Sequence, residues 1–194
     1  PWKWDPKILD EPLPVNEQWP LLSASAVPFD SYSPLPRAMT RDDMDKVLEQ
    51  HVAAVHRAHA AGFDMIEMHA AHGYLLSSFV TPVLNHREDE YGGSMENRLR
   101  YPLEVCQVMR AAWPQEKPMS VRISAHDWMG DTGVTESEAP LIAQAFIDAG
   151  ADIINVSTGQ TSHAAQPKPG RMFQTPLSDI IRNDGKIPTI AVGN

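Results

Sequence analysis

One cysteine in 194 residues is the first constraint on this sequence. Cys106 alone forms no disulfide within the chain and supplies no thiolate cluster for a metal. Cations are scarce as well: 16 Lys and Arg stand against 25 Asp and Glu, a formal net charge of -9, and no basic run occurs. Such a surface repels phosphate backbones and anionic bilayers, so no nucleic acid and no membrane is expected as a partner. No apolar stretch approaches the roughly 20 residues of a membrane-spanning helix, and no charged-then-apolar leader opens the sequence, which makes a cytoplasmic address the expectation. The sequence starts on Pro1-Trp2-Lys3-Trp4 and finishes on a strand-like apolar run at 189–194, so both ends read as cut from something longer.

What is present describes a folded α/β domain. Hydrophobic content of 42% and charged content of 21% are those of an ordinary globular protein. Residues 1–39 hold 8 of the 17 prolines, too many for helix or central strand, and read as a wrapping segment docked by Trp2, Trp4, Trp19, Leu21, Leu22 and Phe29. From residue 40 to 194 the texture becomes regular. Thr40 and Asp43 resemble a capping pair for a helix carrying Met44, Val47, Leu48, Val55 and Ala58 and closed by Gly62. A strand is expected at 63–69, a helix from Ser94 to about Trp113, and a strand at 118–125. Thr135 and Glu138 read as a capping box for a helix ending at Gly150, followed by a strand at 152–157. Thr175-Pro176 reads as an N-cap with proline at the first helical position, and a last strand follows at 187–192.

Equivalent strand positions Val121, Ile153 and Thr189 lie 32 and 36 residues apart, the length of a βα unit, so the sheet is expected to be parallel and helix-covered. A doubly wound dinucleotide fold calls for Gly-x-Gly-x-x-Gly after its first strand, and none of these strands is followed by it. The competing fold is the (β/α)8 barrel. Strand alternation favours it, because the period of two puts Met65, Glu67 and His69 on one face, Arg122 and Ser124 on one face, and Asn155 and Ser157 on one face. Ionisable groups in covered strands are costly unless paired or used. Here they recur toward the carboxyl ends of successive strands, where a barrel builds its active site.

Plainer readings compete at each position. Glu67 and Arg122 together make a structural ion pair inside the barrel, although Arg122 is equally suited to a ligand. His69 and His72 have chelating spacing, but no carboxylate or thiolate stands at the expected offsets, so no metal is expected. Two structural histidines leave Tyr74 beside them unexplained. His51, His56 and His59 read as surface or packing residues. The stretch from Gly73 to Arg98 lengthens the first strand-to-strand interval to 55 residues (Ile66 to Val121), a long loop at the catalytic end in which Asp89, Glu90, Asn97 and Arg98 read as loop-fixing.

Three runs, Glu67-Met-His69-Ala-Ala-His72-Gly-Tyr74, Asp89-Glu-Tyr91-Gly-Gly-Ser94-Met-Glu-Asn97-Arg98 and Val121-Arg122-Ile-Ser124, resemble the Old Yellow Enzyme family of flavin-dependent oxidoreductases. The resemblance covers residues 40–194. Residues 19–25 and 170–176 carry a narrower likeness to the reductase-like part of bifunctional salicylyl-CoA 5-hydroxylase and 2-aminobenzoyl-CoA monooxygenase/reductase proteins.

The resemblance implies a partial (β/α)8 TIM barrel, strands four to seven of eight, with FMN at its carboxyl mouth and NADH or NADPH as reductant. Hydride passes through the flavin to the β-carbon of an alkene conjugated to a carbonyl. By the same resemblance His69 and His72 donate hydrogen bonds to the carbonyl oxygen, Tyr74 offers a proton or positions the substrate, Arg122 faces the flavin pyrimidine edge, and Gly193 begins the phosphate region. The substrate is then an enone or an acyl-CoA thioester. The alternative is a catalytically silent half barrel whose open edges make it a self-associating homo-oligomer.

Overall fold

Residues 13–168 and 170–192 are described by a computed structural model. Trp2, Trp4 and Gly193 lie outside the described residues. After a single turn at Val15–Glu17, two short strands, β1 (Leu22–Ser23) and β2 (Arg37–Ala38), pair in parallel. Helix α1 (Arg41–Ala60) leads into β3 (Ile66–Ala70), then come α2 (Leu75–Val80), α3 (Met95–Ala112) and β4 (Met119–Ser124). Next follow α4 (Ala139–Asp148), β5 (Ile153–Ser157), α5 (Thr175–Asp179) with a π-helical extension over Ile180–Asp184, and β6 (Thr189–Ala191). The main sheet runs β3-β4-β5-β6, all parallel and in chain order, which is the arrangement of a partial barrel.

Helix α1 starts where the sequence offers a reciprocal cap: Thr40 Oγ1 accepts the Asp43 N–H, and Asp43 accepts the Thr40 N–H. Arg37 grips the same carboxylate at 2.7 and 2.9 Å and, with Thr40, holds its pKa well below the usual range. Gly62, at φ +83°, closes the helix through a bond to the His59 carbonyl. Ser94 caps α3 by accepting the Asn97 N–H. The helices cover one face of the sheet, where Met68, Val121, Ile123, Ile154 and Val156 are buried against Met44, Tyr101, Val105, Met109 and Phe146. Each such side chain contributes about 1.5–3 kcal/mol by leaving water. The apolar face therefore holds the sheet together and leaves the other face free for polar groups.

Several local expectations change. The stretch after Gly73 is not loop throughout, since α2 occupies Leu75–Val80 with five of its six residues buried. Helix α4 starts at Ala139, not at Thr135: Glu138 does accept the Thr135 N–H at 3.1 Å, but its other oxygen is taken by Arg98, and Thr135 Oγ1 turns to Ser137. Thr175 is inside α5, whose N-cap is Gln174, and it makes no side-chain cap. The aromatic anchors expected of the wrapping segment are outside the core, with Trp19 59% and Phe29 44% exposed. Leu22 does pack on the core, as expected, and hydrogen bonds do the rest: Ala24 N–H donates to Ser78 Oγ, the His86 N–H donates to Ser25 Oγ, and Arg87 donates to the carbonyls of Ala24 and Met39. Arg98, buried against Val80 O, Gly93 O and Glu138, fixes the far end of the long loop.

Candidate active site

The uncovered face of the sheet is polar because of register. Glu67 lies opposite Ser120, His69 opposite Arg122, Arg122 opposite Asn155, and Ser124 opposite Ser157. Glu67 consequently does not pair with Arg122. Its carboxylate accepts from Ser120 Oγ at 2.8 Å and from Asn155 Nδ2 at 2.9 and 3.1 Å, one layer below. Arg122 is left without a carboxylate and donates to Ser157 Oγ at 3.3 Å.

His69, His72 and Tyr74 do come together. The His69 ring centroid lies 5.2 Å from that of His72 and 5.4 Å from that of Tyr74. His69 sits near the carboxyl end of β3, and Tyr74 is the N-cap residue of α2 with 61% of its surface exposed. Between them the backbone turns sharply, with His72 at φ +65° and Gly73 at φ +69°. A β-branchless but real side chain such as His72 rarely adopts that region, so the surroundings must hold it there. They do: the His72 N–H donates to Ser124 Oγ at 2.9 Å, and its Nε2 meets Ser157 Oγ at 2.7 Å. Position 73 admits only glycine, since a Cβ would lie 3.0 Å from Thr161 Cα and 3.3 Å from two carbonyl oxygens.

Burial lowers the pKa of His69, Arg122 lowers it further, and Glu67 opposes both. His72 is pushed down to about 4, chiefly by burial, then by Arg122 and His69. Both rings are therefore neutral at pH 7, each with one N–H donor. The Ser157 hydroxyl, which accepts from Arg122, donates to His72 Nε2 when the ring hydrogen is on Nδ1 and accepts from it when the hydrogen is on Nε2. A measurable linkage follows. Below the unfolded value of about 6.5 the unfolded chain takes up a proton that folded His72 refuses, so stability present above pH 6.5 is lost as pH falls toward 4. The full shift is worth about 3 kcal/mol, discounted to about 1–2 because the ring is only partly buried. Urea unfolding at pH 7 and pH 5 should show this loss, and His72→Gln should remove the His72 share and leave only that of His69, whose pKa is also lowered; an equal loss in the variant would remove His72 as a source.

Arg122 Nε is buried and has no hydrogen-bond partner among the described residues. A buried donor left so costs about 1–3 kcal/mol. An acceptor on a group bound at this face would satisfy it, and the acceptor-rich flavin ring of FMN would be such a group, so the residues present fit that cofactor. Among the described residues no three His, Cys, Asp or Glu side chains converge on a point as a metal site requires, and no helix is long and apolar enough to cross a membrane. Ser124 and Ser157, which orient His72, share the polar strand faces legible in the sequence. Asp127 and Thr161, which brace the same loops, carried no such signal.

A parallel βα sheet with neutral donors and, among the described residues, a cation without a carboxylate partner toward its carboxyl ends has the arrangement of a barrel-type site. The chain belongs to the NADH:flavin oxidoreductase / NADH oxidase family, whose sequence profile matches residues 16–194. It is 42% identical over 173 residues to an NADPH dehydrogenase of Clostridium acetobutylicum, covering 89% of this chain and 50% of that protein. It is 37% identical over 174 residues to an NADPH dehydrogenase of Bacillus subtilis, with the same two coverages, 89% and 50%. The chain thus spans about half the length of these curated relatives. Among solved structures, 2-naphthoyl-CoA reductase in complex with 2-naphthoyl-CoA is similar with a TM-score of 0.79 and 25% identity, over 89% of this chain and 27% of that one. The old yellow enzyme homologue of Zymomonas mobilis gives 0.72 and 26%, over 91% and 51%.

Proposed function

We propose that these residues form the substrate side of an FMN-dependent NAD(P)H oxidoreductase that reduces an alkene conjugated to a carbonyl. The observation that carries this reading is the pair of neutral imidazoles, His69 and His72, held at the strand ends beside a cation whose Nε lacks a partner. FMN, when bound, supplies the hydride to the alkene after taking it from NAD(P)H. The chain's own groups do the rest. His69 and His72 donate to the carbonyl oxygen, where negative charge develops as hydride arrives. Tyr74, on the exposed side of the pair, offers a proton to the α-carbon. Arg122 faces the flavin, and Gly193 is assigned to its phosphate end.

The names of the relatives favour NADPH as reductant. The substrate proposed is an aromatic acyl-CoA thioester, supported by the similarity to 2-naphthoyl-CoA reductase and by residues 19–25 and 170–176; simple enones present the same carbonyl. An absorbance titration of the chain with FMN, followed by anaerobic NADPH or NADH, tests the reading. A flavin band that shifts on binding and bleaches with nicotinamide supports it. A free-flavin spectrum throughout would leave the half barrel catalytically silent, and the mass measured in the same solution would report whether it self-associates.

A further inference from the structure

The carboxyl group of Asp127 is fully buried in the loop after β4, and no cation faces it among the described residues. Burying such a group is costly unless its oxygens are satisfied. Three donors from three segments satisfy them: Thr81 Oγ1 at 2.6 Å and the Val134 N–H at 2.8 Å on Oδ2, and Thr161 Oγ1 at 2.6 Å on Oδ1. Thr81 and Thr161 are each only 1% exposed, so water does not compete. The loop closes tightly on this carboxyl, because a Cβ on Gly133 would fall 2.7 Å from Asp127 Cβ.

The Val134 bond closes the loop after β4 on itself, and the other two lead to the site. Thr81 is the C-cap of α2, whose other end is Tyr74. Thr161 packs its backbone on Gly73, the residue between His72 and Tyr74. Gln160 beside it is itself at φ +61°, and Gly159 is tied by its N–H to the His126 carbonyl. We infer that Asp127 is a positioning residue: it never meets substrate, but locks the loops after β3, β4 and β5 to one another and so holds His72 in its left-handed backbone conformation and Tyr74 at its distance from His69. The inference rests on the reading of His72 and Tyr74 as substrate-facing groups, yet its first readout does not depend on activity.

The test uses the full chain carrying Asp127→Ala and Asp127→Asn. Asparagine has the same shape, can keep its oxygen on Thr81 and Val134, and can donate to Thr161 Oγ1. Histidine ring resonances followed by NMR against pH, with thermal melting to establish the folded fraction, give the first readout. In folded Asp127→Ala the His72 titration should move up from about 4 toward the ordinary value, and Asp127→Asn should restore it. Kinetics of the FMN-loaded protein give the second: kcat about 100-fold lower for Asp127→Ala with KM changed less than threefold, as expected of displaced rather than missing groups, and recovery to within about fivefold for Asp127→Asn. An unchanged His72 titration in folded Asp127→Ala would overturn the inference, whatever the activity. So would a kcat that falls only in proportion to the folded fraction.

Discussion

Replacing both His69 and His72 by alanine lowers kcat/KM for a conjugated enone by about 1,000-fold, with the chain still folded. Loss of one donor to a developing oxyanion costs about 100- to 1,000-fold, and two donors serving one oxygen are not additive. The depressed pKa values explain why these imidazoles suit the task. A ring that remains neutral keeps an N–H for the oxygen without placing a full charge beside Arg122. His72→Asn preserves a donor and should lose less than His72→Ala. Anaerobic stopped-flow with 2-cyclohexenone separates the step from cofactor reduction. A double variant within threefold of the parent rate would remove both histidines from the chemistry and leave them as loop supports.

Arg122→Met weakens FMN binding about 10- to 100-fold. Methionine keeps an apolar stem of similar reach and deletes the charge, so the change reports the guanidinium and not the packing. Hydrogen bonds to charged groups contribute about 1.5–3 kcal/mol each, and Arg122 has a buried Nε with no partner among the described residues. Flavin fluorescence quenching measures the affinity, with Arg122→Lys expected between the two because a point charge does not reproduce the planar fork. Independently of flavin, the His72 titration should rise in Arg122→Met, since this cation helps hold it down. An unaltered FMN affinity would make Arg122 an internal partner of Ser157 and no more.

The sheet was legible in the sequence because its signals are redundant. Two intervals of βα length, a cap at Thr40, another at Ser94 and apolar outer faces at Val121, Ile123, Ile154 and Val156 point the same way. The polar inner faces marked the site for the same reason. Register was not legible. Alternation places Glu67 and Arg122 on one face but does not say that Ser120, two residues before Arg122, stands opposite Glu67. Helix α2 was missed because six residues give less than two turns of periodicity inside an apolar run that also suits a buried loop. The Trp19 and Phe29 anchors failed because the contact is made through the Ala24 N–H and the Ser25 hydroxyl, where small residues allow close approach and leave little hydrophobic signature. Asp127 has no motif or periodicity around it to single it out, and only the three segments closing on it show its role in the packing.

The ring of His72 is held by a serine 85 residues later in the chain, and Gly73 is backed by Thr161. On a ribosome adding about 5–20 residues per second, that separation lasts roughly 4–17 s. During this interval β3 and α2 have emerged, while the hydroxyl that fixes the imidazole and the carbonyls that enclose the glycine have not been made. The nascent chain thus carries the side chains proposed to meet substrate before it carries the means to aim them, and the third strand of the sheet is the moment of synthesis at which the site acquires its shape.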